Sequence, residues 1–307
     1  MTREAPSILV AGLINIETIA RVDAFPVEYA PVSYTFFGQR TSVSGVGWNV
    51  AAALSALGDR VRLASVLGRG LFEATIRRAI AEQDVDDGYC PSLIDEQPQS
   101  VVLSEPGGRR RILLDLKDIQ TVEYPHTPPL FHGVDMAVLC NIGFARGLLG
   151  PAKRAGLPIA TDLHVLSAPD DEYNRDWLAV ADILFCSNEA IEGQEASFAR
   201  ALMGRWPARV VVVGMGVRGS LLLTKECREA VRVPAVETRP IASTVGAGDA
   251  LFSAFVHFVA RGVDAVESLR RATVFASWKL GEAGGAAGFL DEAGLMRLAG
   301  PDPRKEE

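Results

Sequence analysis

The stretch Ile241-Ala242-Ser243-Thr244-Val245-Gly246-Ala247-Gly248-Asp249 runs directly into an apolar segment, residues 250–261, that has the pattern of a helix. Residues 246–248 have little or no side chain, so their backbone N–H groups can approach one point, at which the helix also directs its positive dipole end. These features predict an anion site. Asp249 could accept a proton from a hydroxyl group held beside the anion. The stretch therefore predicts a phosphoryl-transfer centre.

Composition limits the class of protein to which the chain can belong. It has 307 residues, 48% hydrophobic and 22% charged, which suits one large domain or one domain with a smaller appendage. A net charge of -7 argues against nucleic acid or an anionic membrane as the main partner. No apolar run reaches membrane-spanning length, and the four cysteines lack metal-ligand spacing. We expect a cytoplasmic protein with reduced, buried thiols and no protein-ligated metal centre.

Apolar runs alternate with helical patterns along most of the chain. Strands are predicted at residues 7–12, 62–68, 136–140, 158–162 and 181–186, and helices at 71–83, 146–155 and 265–283. This order predicts an α/β fold with a central, mostly parallel sheet flanked by helices. We assign residues 1–14, 44–93 and 121–307 to this core.

Two β-rich insertions interrupt the alternation, at residues 15–43 and 94–120. Residues 32–36 alternate aromatic or β-branched with polar side chains, and residues 99–104 and 111–116 flank a glycine turn as in a hairpin. An isolated hairpin is only marginally stable, so we expect both insertions to pair into one small sheet, a lid. The arginine cluster 109–111 is interpreted as a solvated turn.

Polar residues follow the first predicted strand and open the first predicted helix. Asn15 and Glu17 fall just beyond the strand, where ligands bind in open α/β sheets, although a polar loop without a ligand fits equally well. The small-residue turn 44–47, which includes Gly45, would permit close approach of a ligand. Asn49 could then donate to a hydroxyl group of that ligand, or cap the helix.

Later candidates also carry alternatives. Asn188, with Glu189 or Glu192, could contact a metal-phosphate unit or form an ordinary helix cap. The glycine-rich loop at 284–288 could line a purine pocket or only end a helix. Three glycines after a strand match the dinucleotide pattern G-x-G-x-x-G, but residues 220–224 resemble a second strand, so we predict a hairpin turn and no nicotinamide or flavin site. The three are Gly214, Gly216 and Gly219.

Residues 244–249 resemble the C-terminal signature of the ribokinase-like (PfkB) carbohydrate and nucleoside kinases, and residues 44–49 resemble their N-terminal glycine motif. The other fragments come in the order of that family, so the resemblance covers nearly the whole chain. It implies ATP-dependent phosphorylation of a hydroxyl, usually a primary alcohol, of a sugar or nucleoside. Mg²⁺ and often a monovalent cation assist the reaction. The lid would cover the acceptor and, in many relatives, form a homodimer interface.

The resemblance also implies roles for individual residues. Asp249 corresponds to the catalytic base, and Gly246, Ala247 and Gly248 to the anion hole, a role that suits backbone donors in phosphoryl transfer. The acceptor would be faced by Asn15, Glu17, Gly45 and Asn49. Asn188 would contact phosphate and the water shell of Mg²⁺, with Glu189 or Glu192. ATP would lie near Asn188, Gly214, Gly216, Gly219, Thr244, Ser277, Gly284, Gly285 and Ala286.

Several positions depart from the family pattern. Ser243 stands where an acidic residue helps to hold the monovalent cation, so we expect weak activation by K⁺. Glu17 replaces the usual aspartate, and Ile191 breaks the expected Asn-x-x-Glu pattern. These departures leave the acceptor open and motivate an alternative, a non-catalytic ligand-binding or regulatory protein. The glycine triplet and Asp249 favour the kinase.

Overall fold

The computed structural model of the chain describes residues 5–125, 128–227 and 229–301. The strands within these ranges are β1 (Ser7–Ala11), β2 (Asn15–Arg21), β3 (Gln39–Ser44), β4 (Arg60–Ala64), β5 (Leu67–Gly68), β6 (Asp86–Tyr89), β7 (Ser92–Ile94), β8 (Gln99–Ser104), β9 (Arg110–Asp115), β10 (Met136–Leu139), β11 (Ile159–Val165), β12 (Ile183–Ser187), β13 (Val210–Gly214), β14 (Ser220–Thr224) and β15 (Val231–Val233). The α-helices are α1 (Val46–Ala56), α2 (Glu73–Ala81), α3 (Arg146–Arg154), α4 (Arg175–Leu178), α5 (Glu195–Arg205), α6 (Ala247–Ala260), α7 (Ala265–Lys279) and α8 (Glu292–Ala299).

A nine-stranded sheet forms the centre of the protein, in the order β15-β14-β13-β12-β11-β10-β1-β4-β6. Neighbours from β13 to β6 are parallel, and β14 and β15 are antiparallel additions. Alternate residues of β1 point to opposite faces: Ile8 and Val10 pack with α1, α6 and α7, whereas Leu9 packs with α3 and α5. The predicted α/β class is therefore confirmed, and the inner parallel strands β1, β10, β12 and β13 are almost wholly apolar because both faces are covered.

The two β-rich insertions form a separate four-stranded sheet in the order β3-β2-β8-β9, as predicted. Strand β2 pairs antiparallel with β3 and parallel with β8, and β8 and β9 form the expected hairpin. The strand predicted at residues 32–36 is wrong: this stretch has no strand and its aromatic side chains are exposed, Tyr34 by 82% and Phe36 by 86%. The polar β3 occupies the edge of β2 instead and continues directly into the turn before α1.

Other boundaries differ in detail from the sequence prediction. Residues 62–68 divide between β4 and β5, and α7 ends at Lys279 rather than at residue 283, where several glycines follow. The cysteines are free, but Cys227 is exposed, unlike the three buried thiols, so the expectation of burial is wrong for it. None of the helices in the described ranges has both the length and the apolar character needed to cross a bilayer.

Candidate active site

The carboxyl ends of β1, β10, β11 and β12 meet at one edge of the large sheet, and the start of α6 faces them. Gly246, with φ 77°, is the N-cap of α6. Just before it, the N–H groups of Ala242 and Ser243 donate to the carbonyl of Leu280, at 2.8 and 3.0 Å. Gly248 is exposed, and a Cβ built on it would meet nothing within 4 Å. The first N–H groups of a helix have no partner within the helix, so the open side of this turn at Gly248 is suited to an anion.

Asp249 lies in the first turn of α6 and is partly exposed. Its Oδ2 accepts a hydrogen bond of 2.7 Å from Nδ2 of Asn49. Burial raises the pKa of Asp249, and the nearby His164 ring and the Asn49 donor offset part of that rise, whereas the Asp162 carboxylate adds to it. A carboxylate with a raised pKa is a stronger proton acceptor than an exposed one, which suits a general base.

The glycine turn before α1 brings Asn49 to this carboxylate. Gly45 is the N-cap of α1 with φ 100°, and a Cβ there would lie 2.6 Å from the Leu13 carbonyl. A Cβ on Gly47 would lie 2.4 Å from the carbonyl carbon of Gly12. The absence of a Cβ at both positions allows the turn to pack against the chain that follows β1. Trp48 is likewise buried, at 3% exposure.

Asn15 and Glu17 lie side by side on β2 and are buried, at 3% and 7% exposure. Asn15 donates from Nδ2 to the Ser100 hydroxyl at 2.9 Å. Burial raises the pKa of Glu17, the Ser44 hydroxyl lowers it, and the charge of Asp249 raises it further. Asn15 Oδ1 and Glu17 Oε1 are buried without a hydrogen-bond partner in the part of the chain that the structure describes. Two such oxygens can accept hydrogen bonds from the hydroxyl groups of a ligand.

The loop after α7 closes the site from the other side. A Cβ on Gly246 would lie 2.6 Å from the Gly285 carbonyl oxygen, and one on Gly285 would lie 2.6 Å from both Asn49 Nδ2 and Ser44 Oγ. Gly285, with its neighbours Gly284 and Ala286, therefore lies against the anion loop and Asn49. This close approach of three chain segments explains why glycine is needed there.

Ser277, a predicted ATP contact on α7, is buried. Its hydroxyl accepts a hydrogen bond from Thr238 N at 3.0 Å and contacts Thr238 Oγ1 at 3.0 Å. These contacts fix the segment that leads into the anion loop.

Asn188 follows β12, and its N–H donates to the Gly214 carbonyl at 2.9 Å, which places it beside the turn of residues 214–219. The Asn188 side chain contacts the carboxylate of Glu195. Asn188 Nδ2 donates a hydrogen bond of 3.0 Å to Glu195 Oε1. The sequence analysis missed Glu195 because two successive turns, closed at Ile191 and Gln194, return the chain at the start of α5. Glu189 and Glu192 are exposed, and Glu192 forms an ion pair with Arg218 at 3.1 Å.

The turn Gly216–Arg218 joins two antiparallel strands, β13 and β14, and opens no α-helix. Gly219 has φ 84°, and a Cβ there would lie 2.1 Å from the Val233 carbonyl. The glycines of this G-x-G-x-x-G therefore serve a hairpin, as predicted, and the dinucleotide-binding interpretation is excluded.

The structure adds two basic residues that the sequence analysis did not connect with the site. Arg110, at the start of β9, donates from Nη1 to the Thr244 carbonyl at 3.1 Å and to its hydroxyl at 2.8 Å, so the small sheet touches the anion loop. Lys279, the last residue of α7, is fully buried and lies near Asp249 and Glu17. Arg110 belongs to the arginine cluster 109–111, whose pattern is typical of a solvated turn. A lysine at the end of a helix is usually exposed, so the sequence did not indicate that Lys279 is buried.

The described residues contain no group of three or more His, Cys, Asp or Glu side chains that could hold a metal ion. Such a site does not fit a metal held by a protein cage. Mg²⁺ needs no such group, because it keeps several waters and binds mainly through substrate phosphates and one or two carboxylates. Beside the 214–219 turn, the buried Glu195 Oε1 accepts hydrogen bonds from Asn188 Nδ2 and Arg218 Nη2, at 3.0 and 2.9 Å.

The fold and the site together define a phosphotransferase that acts on an alcohol group. The profile described as "pfkB family carbohydrate kinase" matches residues 5–292. The chain is 26% identical over 304 residues to an acarbose 7(IV)-phosphotransferase of Actinoplanes sp., covering 96% of this chain and 99% of that protein. It is 30% identical over 272 residues to a 1-phosphofructokinase of Rhodobacter capsulatus, covering 80% and 82%. The solved structure of a microbiome-derived acarbose kinase, Mak1, superposes with a TM-score of 0.83 at 25% identity, covering 96% and 99%.

The chain therefore belongs to the pfkB family of carbohydrate kinases. It is a sugar kinase, and kinases of this family use ATP and Mg²⁺.

Proposed function

We propose that the protein transfers the γ-phosphate of ATP to a primary hydroxyl group of a sugar, with Asp249 as the base and the backbone of Gly246, Ala247 and Gly248 as the anion hole. The observation that carries the proposal is the 2.7 Å hydrogen bond from Asn49 to Asp249. It joins the N-terminal glycine turn to the first turn of α6, at the open N-terminus of that helix. Acceptor-side and phosphate-side groups thus meet at one carboxylate.

In the proposed reaction, the sugar hydroxyl donates to Asp249 while its oxygen faces the γ-phosphorus. Asn49 holds Asp249 Oδ2 and fixes the orientation of the carboxylate. As the bond from the sugar oxygen to phosphorus forms, the bond from phosphorus to the bridging oxygen breaks and ADP leaves, while the hydroxyl proton passes to Asp249. The N–H groups of residues 246–248 stabilise the negative charge that spreads over the transferring oxygens. Mg²⁺, when bound with ATP, neutralises charge on the phosphates.

The unpaired oxygens of Asn15 and Glu17 support a polyhydroxylated acceptor, because each can accept a hydrogen bond from a sugar hydroxyl. Relatives that cover most of the chain are named for acarbose and for phosphofructose, which favours a sugar over a nucleoside. Gly45 would contribute to the acceptor site only through its backbone, because the conformation of its turn positions Asn15 and Asn49 towards the acceptor.

The nucleotide would lie along the edge of the sheet between the turn of residues 214–219 and the anion loop. Asn188 and Glu195 would face the phosphates and the waters of Mg²⁺. The remaining predicted contacts are Thr244, Ser277, Gly284, Gly285 and Ala286. Ser277 would act through the Thr238 segment, because its hydroxyl is engaged there.

The small sheet, residues 15–43 and 94–120, would act as the lid of this site. The contact of Arg110 with Thr244 supports this role, because it links the lid to the anion loop. Strand β9 is exposed along its whole length and offers an edge for a homodimer. Light scattering on purified protein would test the dimer, and a monomer at all concentrations would contradict it.

The function is tested by incubating the protein with ATP, Mg²⁺ and a panel of sugars, sugar phosphates, acarbose and nucleosides, with ADP release and product mass as readouts. We expect acceptor-dependent ADP release and a product heavier by one phosphoryl group for at least one sugar. The non-catalytic alternative predicts that sugars shift the melting temperature without ADP release above background. Failure of every acceptor in the panel would favour that alternative.

A further inference from the structure

Lys279 is a buried cation next to the proposed reaction centre. Its side chain has 0% exposure, although lysines are almost never fully buried without a partner. Its Nζ donates to the carbonyl oxygen of Glu282 at 2.9 Å. Across the described residues, no carboxylate forms an ion pair with it within 4.0 Å. A buried ammonium with one carbonyl partner is costly unless nearby negative charge compensates it.

The compensating charges belong to the proposed site. Burial lowers the pKa of Lys279 to about 8, and the carboxylates of Asp249, Glu17 and Glu282 oppose that fall, whereas Arg239 adds to it. Conversely, the ammonium lowers the pKa of both Asp249 and Glu17, against the burial that raises them. The Glu282 carboxylate is shared with Arg40, 3.5 Å away in the lid.

The remaining charged groups act on the two site carboxylates. Arg110 of the lid lowers the pKa of Glu17, and the His164 ring and Asp162 of β11 act on Asp249 in opposite directions. The His164 ring lowers the pKa of Asp249 more than the ammonium does, but Lys279 acts on both carboxylates and is fully buried.

The main chain places Lys279 in a fixed relation to the anion loop. The next residue, Leu280, accepts hydrogen bonds from the N–H groups of Ala242 and Ser243. Arg239 Nε donates to the Trp278 carbonyl at 2.5 Å, and its guanidinium stacks over the Trp278 ring at 4.2 Å. The end of α7 and the segment that leads to Asp249 are thus joined on both sides of the lysine.

We propose that Lys279 is a positioning residue whose buried ammonium is the counter-cation of Asp249 and Glu17 and keeps Asp249 ionised for proton transfer. This inference rests on the proposed function, since it gives Asp249 the role of base. Without the ammonium, two neighbouring carboxylates in a buried site favour their protonated forms. A protonated Asp249 cannot accept the acceptor's proton.

The coupling can be measured without any acceptor. The chain has five lysines, so ¹³C labelling at the lysine ε-carbon gives five signals whose titration NMR can follow, and Lys279→Met assigns the buried one. We expect its midpoint to fall by about one pH unit in Asp249→Asn and in Glu17→Gln, because each change removes a negative charge that stabilises the ammonium. An unchanged midpoint in both variants would overturn the proposal.

The kinetic test compares Lys279→Met and Lys279→Arg with wild type, and Lys153→Met serves as the matched control because Lys153 is exposed on α3. In Lys279→Met the acidic limb of the kcat profile should move to higher pH, because loss of the ammonium raises the pKa of Asp249. Lys279→Arg and Lys153→Met should retain the acidic limb of wild type.

A merely structural role predicts a different pattern. Methionine resembles lysine in shape without its charge, so Lys279→Met should keep or raise Tm while kcat falls on the acidic side of the profile. A lower Tm with an unmoved acidic limb would contradict the proposal. If wild type phosphorylates a sugar and the two variants share its profile, the inference about Lys279 fails alone. If wild type phosphorylates nothing, the proposed function fails, and the NMR titration still decides the coupling.

Discussion

Replacing Asn49 by alanine removes the hydrogen bond of 2.7 Å that its Nδ2 donates to Asp249 Oδ2. A hydrogen bond to a charged group contributes about 1.5–3 kcal/mol. Because a pKa unit corresponds to about 1.4 kcal/mol, loss of the donor should raise the pKa of Asp249 by about 1–2 units. This donor stabilises the ionised form, so its removal adds to the rise that burial already causes.

The expected result is a shift of the acidic limb of the kcat profile. Asp249 must be ionised to accept a proton, so a higher pKa moves that limb to higher pH by the same about 1–2 units. The assay is ADP release at saturating ATP and sugar, from about pH 5 to about pH 9, where kcat reports the bound complex. Near the alkaline end of the range, kcat should approach that of wild type.

Ser44→Ala is the graded control. The Ser44 hydroxyl donates to Asn49 Oδ1 over 3.3 Å and lowers the pKa of Glu17, so it acts on Asp249 indirectly and its loss should move the limb by less than Asn49→Ala does. An acidic limb at the wild-type position in Asn49→Ala, with kcat reduced equally at all pH values, would refute the account. It would show that Asn49 does not set the ionisation of Asp249.

Three further variants or conditions test other parts of the site. Gly285→Ala places a Cβ 2.6 Å from Asn49 Nδ2 and Ser44 Oγ, so kcat should fall by about tenfold or more at unchanged far-ultraviolet circular dichroism, and full activity would contradict the packing. Arg110→Ala removes both contacts with Thr244 and should raise the KM for ATP or lower kcat severalfold, whereas unchanged constants would remove the lid from the reaction. Ser243 has no carboxylate and its hydroxyl accepts from Val245 N, so rates in KCl and NaCl should agree, and strong K⁺ activation would show that other ligands suffice.

The sequence predicts most of the large sheet because β1, β10, β12 and β13 are continuous apolar runs, whereas β6, with the sequence DDGY, gives no such signal. The hairpin of β13 and β14 was predictable for the same reason, since residues 220–224 have the pattern of a strand and not of a helix. The lid was predictable only in part. Its pairing follows from the instability of isolated hairpins, but the aromatic stretch at 32–36 is exposed, and the polar β3 forms the strand.

The site was predictable where one short stretch carries the chemistry, as in residues 246–249. Contacts between distant segments were not. Glu195 reaches Asn188 through two turns, Arg110 reaches Thr244 across the lid, and Lys279 gains its surroundings from three separate elements. Residue type and spacing do not predict these contacts between distant segments, because each contact depends on tertiary packing. The packing role of the glycines at 45 and 47 likewise depends on a distant segment, the chain that follows β1.

The most direct test of the central claim, that Asp249 is the base of a sugar kinase, measures ATP binding and sugar phosphorylation in Asp249→Asn beside wild type. Calorimetry should give similar ATP affinities, because the backbone donors of the anion loop remain. Tm should stay equal or rise at neutral pH, because burial raises the pKa of Asp249 and its ionised form therefore destabilises the fold. The account predicts that kcat falls by about a thousandfold or more in this variant. A kcat within a few-fold of wild type, at equal ATP affinity, would contradict it.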